Sequence, residues 1–211
     1  MGHFKIVYQG FPIDLPTHEP VIALKASSGS FPGQALGDFV TLELNVRHPE
    51  FFFDPHNDPE GDFATRLSPY LDTQWLEIPI KFFKNRDYKS LGEIDIDFKG
   101  EGTPNKLKKE DWWEAPGLIT TYSDELFKRA EISLRGASER DFHAHIVGET
   151  VLGTSFDIAF DAPLTIKLVS YRNSYTTDQL LTWFDTFLKK DDFVFNEMQR
   201  GEDLYISGSV R

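Results

Sequence analysis

The sequence predicts a mainly β protein, an antiparallel β-sandwich or curled barrel of about ten short strands with one amphipathic helix near the C-terminus. Three observations carry this. Apolar and polar residues alternate one for one in segment after segment, the period of a strand with one wet face. Turn-forming residues punctuate those segments at hairpin spacing. Phenylalanine, at 19 of 211 residues, is abundant enough to fill the space between stacked sheets. Strands apolar on both faces, which a doubly wound parallel sheet needs, are not the pattern here.

Taken in order, "HFKIVYQ" (3–9) and "VIALKA" (21–26) read as the first strands. "VTLELNV" sets Val40, Leu42, Leu44 and Val46 on one face and Thr41, Glu43 and Asn45 on the other. "FFFDPHNDPEGDF" (51–63) then reads as an acidic surface loop anchored by aromatics, with some of Phe51, Phe52 and Phe53 facing the core. "LEIPIKF" points Leu76, Ile78, Ile80 and Phe82 inward, and Pro79, lacking an N–H, makes it an edge or bulged strand. "EIDIDF" sets Ile94, Ile96 and Phe98 against Glu93, Asp95 and Asp97, and "FKNRDYKSLG" is expected to join the two as a hairpin. A short helix is expected to follow residues 103–104 and run to about residue 113.

"AEISLR" (130–135), "DFHAHIV" (141–147), "SFDIAFD" (155–161) and "LTIKLV" (164–169) alternate in the same way. "DAP" (161–163) is expected to turn between the last two. "TTDQLLTWFDTFLKK" (176–190) is a helix: Thr176 caps it with Gln179 in the capping-box position. Leu180, Phe184, Phe187 and Leu188 share its apolar face, with Trp183 at the border. Asp178 in the first turn and Lys189 and Lys190 in the last suit the helix dipole. "FVFNEM" and "LYISGSV" close the chain as a hairpin around "QRGED". The chain reads as one domain, 1–211, and "LGEIDIDF" (91–98) echoes "LGTSFDIAF" (152–160) as a weak internal duplication.

Composition narrows the function. A formal charge of −12 repels phosphate backbones and anionic membranes, so neither nucleic acid nor a membrane is an expected partner. The one basic cluster, "NKLKKED" at 105–111, is short and capped by acids. No apolar run approaches the ~20 residues of a membrane span. With no cysteine there is no disulfide, thiol catalysis or cysteinyl metal site, and a cytoplasmic location is the expectation.

Phosphate-binding, dinucleotide-binding, zincin and nucleophile-elbow motifs are all missing. The chain therefore reads as a non-enzymatic acidic protein-binding module without a cofactor. An immunity or antitoxin-like protein masking a basic partner is its concrete form, since charge steering speeds capture. The expected partner surface is drawn from Asp54, His56 and Asp58 in the acidic loop, the ladder Glu93, Asp95 and Asp97, and Trp112 and Trp113. Lys81, or basic residues near the 83–92 loop, are expected to pair with part of that ladder.

Two alternatives stand beside it. On a strand, Asp141, His143 and His145 share one face. Two imidazoles so placed chelate a divalent metal when His48 or His56 supplies a further ligand, in a metal-dependent enzyme or a metal-supported binding protein. The carboxylates of the 54–62 loop are a second metal candidate, for calcium, although their spacing departs from the EF-hand pattern. The other alternative is a carbohydrate-binding sandwich that stacks sugar on Trp112 or Trp113.

Overall fold

A computed structural model of the chain describes residues 2–27, 36–56, 65–73, 76–98, 117–119 and 124–211. Its strands are β1 (His3–Tyr8), β2 (Phe11–Leu15), β3 (His18–Ser27), β4 (Phe39–Arg47), β5 (Phe51–Phe53), β6 (Thr65–Leu67), β7 (Tyr70–Asp72) and β8 (Leu76–Pro79). They continue as β9 (Asp95–Phe98), β10 (Gly117–Ile119), β11 (Asp124–Gly136), β12 (Asp141–Thr150), β13 (Ser155–Ser170), β14 (Phe193–Arg200) and β15 (Asp203–Val210). One short helix, α1 (Thr177–Phe184), precedes the last hairpin. Among the described residues, no helix is long and apolar enough to cross a membrane.

Among the described residues, thirteen strands form one sheet that curls into a half-barrel: nine run in the order β12-β11-β10-β7-β4-β3-β13-β1-β2, and β8, β9, β15 and β14 pair off that path with β4, β11, β13 and β15. β12 also pairs with β13, so the path turns back on itself; β5 and β6 pair separately. The alternating residues of each strand explain the curl. Inward side chains such as Leu42, Leu44, Ile132, Leu134, Ile146, Ile158, Phe160 and Ile166 are almost wholly buried. Each contributes roughly 1.5–3 kcal/mol by leaving water, and the curled sheet closes over this inner face together with Leu180 and Phe184 of α1.

The sheet is mixed. β3 runs parallel to β13 from Ile22 opposite Leu164 to Ser27 opposite Val169, and every other described pairing is antiparallel.

The longest strand corrects the expected turn at 161–163. β13 runs unbroken for 16 residues, from Ser155 to Ser170. Its first half pairs with β1 and β12, and from Leu164 onward its partners are β3 and β15. Pro163 sits at the changeover, where a missing N–H costs the ladder least.

Two other expectations change. "LEIP" pairs with β4 and β9 pairs with β11, so these segments do not form a hairpin. The first strand ends at Pro79, and 3-10 turns over Ile80–Phe82, Lys84–Arg86 and Tyr88–Glu93 carry the chain between them. Phe83, rather than Phe82, is the buried ring there. The helix has its expected capping box, Thr176 Oγ1 accepting from the Gln179 N–H and Gln179 Oε1 from the Thr176 N–H. It stops at Phe184, short of Lys190, because Asp185 turns its carboxylate onto the Lys190 N–H and the chain tightens into i→i−3 bonds at Thr186 and Phe187. Leu180, Phe184, Phe187 and Leu188 are all buried, with Trp183 packed at the border.

Candidate functional site

The outer face of β1, β13, β12, β11 and β9 collects most of the chemistry. Alternation on β12 turns Phe142, Ala144 and Ile146 into the core and leaves His143 and His145 outside. The ladder then sets a row across five strands: His3 on β1, Ala159 on β13, His145 on β12, Ser133 on β11 and Asp95 on β9. Ala159 is the small residue in that row. Its methyl group leaves room for the imidazoles on either side, whose centroids stand 6.3 Å apart at an interplanar angle of 70°.

Asp157 lies two residues from Ala159 on the same face, diagonal to both histidines. His3 Nε2 donates to Asp157 Oδ1 at 2.8 Å, and His145 Nε2 to the same oxygen at 2.9 Å. Burial pushes the Asp157 carboxyl up, but the hydrogen bonds from His3 and His145 outweigh it and hold it below the usual carboxylate range. The start of β1 must come close for this. A Cβ at Gly2 would stand 2.6 Å from the Ala159 carbonyl oxygen, so only glycine lets the chain enter β1 at that distance.

His3, His145 and Asp157 form, among the described residues, the one group of three or more such side chains whose ligand atoms all lie within 4.8 Å of one another. All three are partly exposed. Two imidazoles and a carboxylate suit a first-row divalent metal better than calcium or magnesium. Tetrahedral zinc at 2.0–2.1 Å needs ligand atoms roughly 3.3 Å apart, so each imidazole nitrogen need draw away from the Asp157 oxygen by only about half an ångström. The ion would take the place of the two Nε2 protons, which each ring can carry on Nδ1 instead.

His145 thus belongs with His3 and Asp157, not with His143 and Asp141. His143 Nδ1 pairs with Asp161 Oδ1 at 2.7 Å, and that bond draws the Asp161 carboxyl below its usual range. Asp141 accepts the Ser138 hydroxyl at 2.8 Å in the preceding turn. His48 packs against His18 and Phe51, and His56 against Phe11, so neither joins the group. The sequence carries no local mark that joins His3 to Asp157, because the pairing that unites them spans 154 residues. The available signal was alternation, which places each on the wet face of its own strand.

Beside His145 runs a groove of about 480 Å³ lined by Asp95, Asp97, Glu131, Ser133, Arg135 and His145. Asp97 and Glu131 face each other across the β9–β11 ladder. Asp95 is paired with Arg135 at 2.6 Å. Glu93 lies off the strand, at the end of a 3-10 turn, and is held by Lys84 at 2.7 Å. In the loop after β5, Asp54 Oδ1 accepts the His56 N–H at 3.0 Å. Phe51 and Phe53 pack against the core while Phe52 is exposed. Asp58, Trp112, Trp113 and the short helix expected near 103–113 lie outside the described residues. No family model, curated protein or solved structure matches this chain.

Proposed function

We propose that the chain is a metal-supported binding protein that holds a divalent transition metal through His3, His145 and Asp157. The convergence of two Nε2 atoms on one carboxylate oxygen, over the small Ala159, is the observation that carries this. Three protein ligands leave coordination positions open. A donor from a partner entering the neighbouring groove can complete the shell. Equilibrium dialysis of chelator-stripped protein against Zn²⁺ tests the reading. One bound equivalent in the wild type and none in His145→Ala or Asp157→Asn is the expected result. Zinc uptake unchanged in both variants would overturn it.

A second reading rests on the groove itself. Facing carboxylates at Asp97 and Glu131 on a chain of charge −12 favour a basic protein partner. Binding of a lysine-rich peptide should weaken with added salt and with Glu131→Lys. Binding that neither change affects would remove this reading.

A further inference from the structure

β14 is an edge strand that reads as complementary to itself. β15 is its one strand partner among the described residues, leaving its other side without a ladder. It is eight residues long and contains no proline, and its ladder with β15 runs from Phe193 to Arg200 without a shift. Soluble proteins blunt such edges with bulges, prolines or charge, or else cover them. Here the outer face carries Val194 and Met198, 48% and 52% exposed.

The inner side of β14 is already engaged. Phe193 and Phe195 pack on Phe184 of α1, and Glu197 accepts the Thr177 hydroxyl at 2.6 Å. Val194, Asn196, Met198 and Arg200 therefore face outward, beside Ser209, Ser207, Tyr205 and Asp203. The Arg200 guanidinium lies along that face, its Nε donating to Met198 Sδ at 3.1 Å and its Cζ 5.6 Å from the Tyr205 ring centroid.

A second copy can be laid antiparallel on this edge with Asn196 opposite its counterpart. Val194 then faces Met198 of the other copy, twice by symmetry, and covers the exposed apolar side chains. The start of the strand falls into charge register as well: Asp192, whose carbonyl extends the ladder by accepting the Arg211 N–H, comes opposite Arg200. Neither of these two makes an ion pair with its own chain among the described residues. Sliding by two residues one way sets Glu197 against itself and Val194 against Arg200. Sliding the other way sets Asp192 against Met198 and Val194 against Asn196, which pairs no opposite charges and leaves the apolar side chains against polar ones. Like charges directly opposite are destabilising, and a one-residue slip turns outer side chains to the inner face. One register both pairs opposite charges and covers Val194 and Met198.

We infer that the chain forms a two-fold dimer by antiparallel pairing of β14 with β14 of a second copy, in the register that puts Asp192 opposite Arg200 and Val194 opposite Met198. This surface is separate from the histidine face and does not depend on the metal reading. Sedimentation equilibrium of the full chain tests it. The wild type should dimerise, and Asp192→Arg and Arg200→Asp should each raise the dimer dissociation constant by roughly tenfold or more, since each places two like-charge pairs in the interface. The double variant Asp192→Arg/Arg200→Asp restores opposite charges and should return the constant to within about threefold of wild type. All four proteins should give the same circular dichroism spectrum, since these side chains lie on the surface. A wild type that stays monomeric, or a double variant no tighter than the single ones, would overturn the inference.

Discussion

His3 and His145, from the two strands that flank β13, donate to a single oxygen of Asp157 at 2.8 and 2.9 Å. Neither histidine could reach the other's side of β13 over a large residue. Ala159, between them in the ladder, makes the convergence possible. Ala159→Val should therefore lower zinc affinity by about tenfold or more by forcing the rings apart, while circular dichroism shows the fold retained. Unchanged zinc affinity in this variant would remove Ala159 from the account.

The carboxylate at the centre sets a pH dependence. Asp157 titrates below its ordinary range in the folded chain. Its contribution to stability is fully present above the ordinary carboxylate pKa and is lost as pH falls through the lowered value. Asp157→Asn should thus be less stable than wild type at neutral pH, by no more than about 1 kcal/mol because the site is open to solvent. The gap should close under acid conditions. Urea melts of both proteins at neutral and acid pH would reveal it.

Gly148 has a different constraint. It sits between Ala130 and Phe156 in the ladder, and a Cβ there would collide with the Arg129 carbonyl oxygen and the Phe156 ring. Phe156 is stacked on Phe127 at 4.8 Å and has little freedom to withdraw. Gly148→Ala should cost about 1–3 kcal/mol, measured as a shift in the urea midpoint.

Thr73 replaces a missing strand neighbour. Fully buried, its Oγ1 accepts the Leu44 N–H at 2.6 Å and donates to the Leu44 carbonyl at 3.2 Å. Thr73→Val keeps the shape but strands both backbone groups, so a loss of about 1–3 kcal/mol is expected in the same melts. Thr73→Ser, which keeps the hydroxyl, should lose less.

Short-range signals in the chain specify its local structure. The Thr176–Gln179 cap and the buried face of Leu180, Phe184, Phe187 and Leu188 follow from short-range rules, and both are present. Alternation also placed Val40, Leu42, Leu44 and Val46 inside. What escaped was the identity of neighbours. Nothing local tells that Pro163 lies inside one long strand crossing between partner sets, or that β9 pairs with β11 rather than β8. The histidine group fails to appear in the sequence for the same reason. His143 and His145 look like partners at two-residue spacing, yet each turns to a different carboxylate on β13, and the second imidazole comes from the other end of the chain.

The most direct test of a metal site centred on Asp157 is a calorimetric zinc titration of the chelator-stripped wild type, His3→Ala and His143→Ala. His3 is predicted to be a ligand, so its removal should weaken binding by about 100-fold or more, whereas His143→Ala should bind one equivalent as the wild type does. Zinc binding that survives in His3→Ala but is lost in His143→Ala would contradict the site.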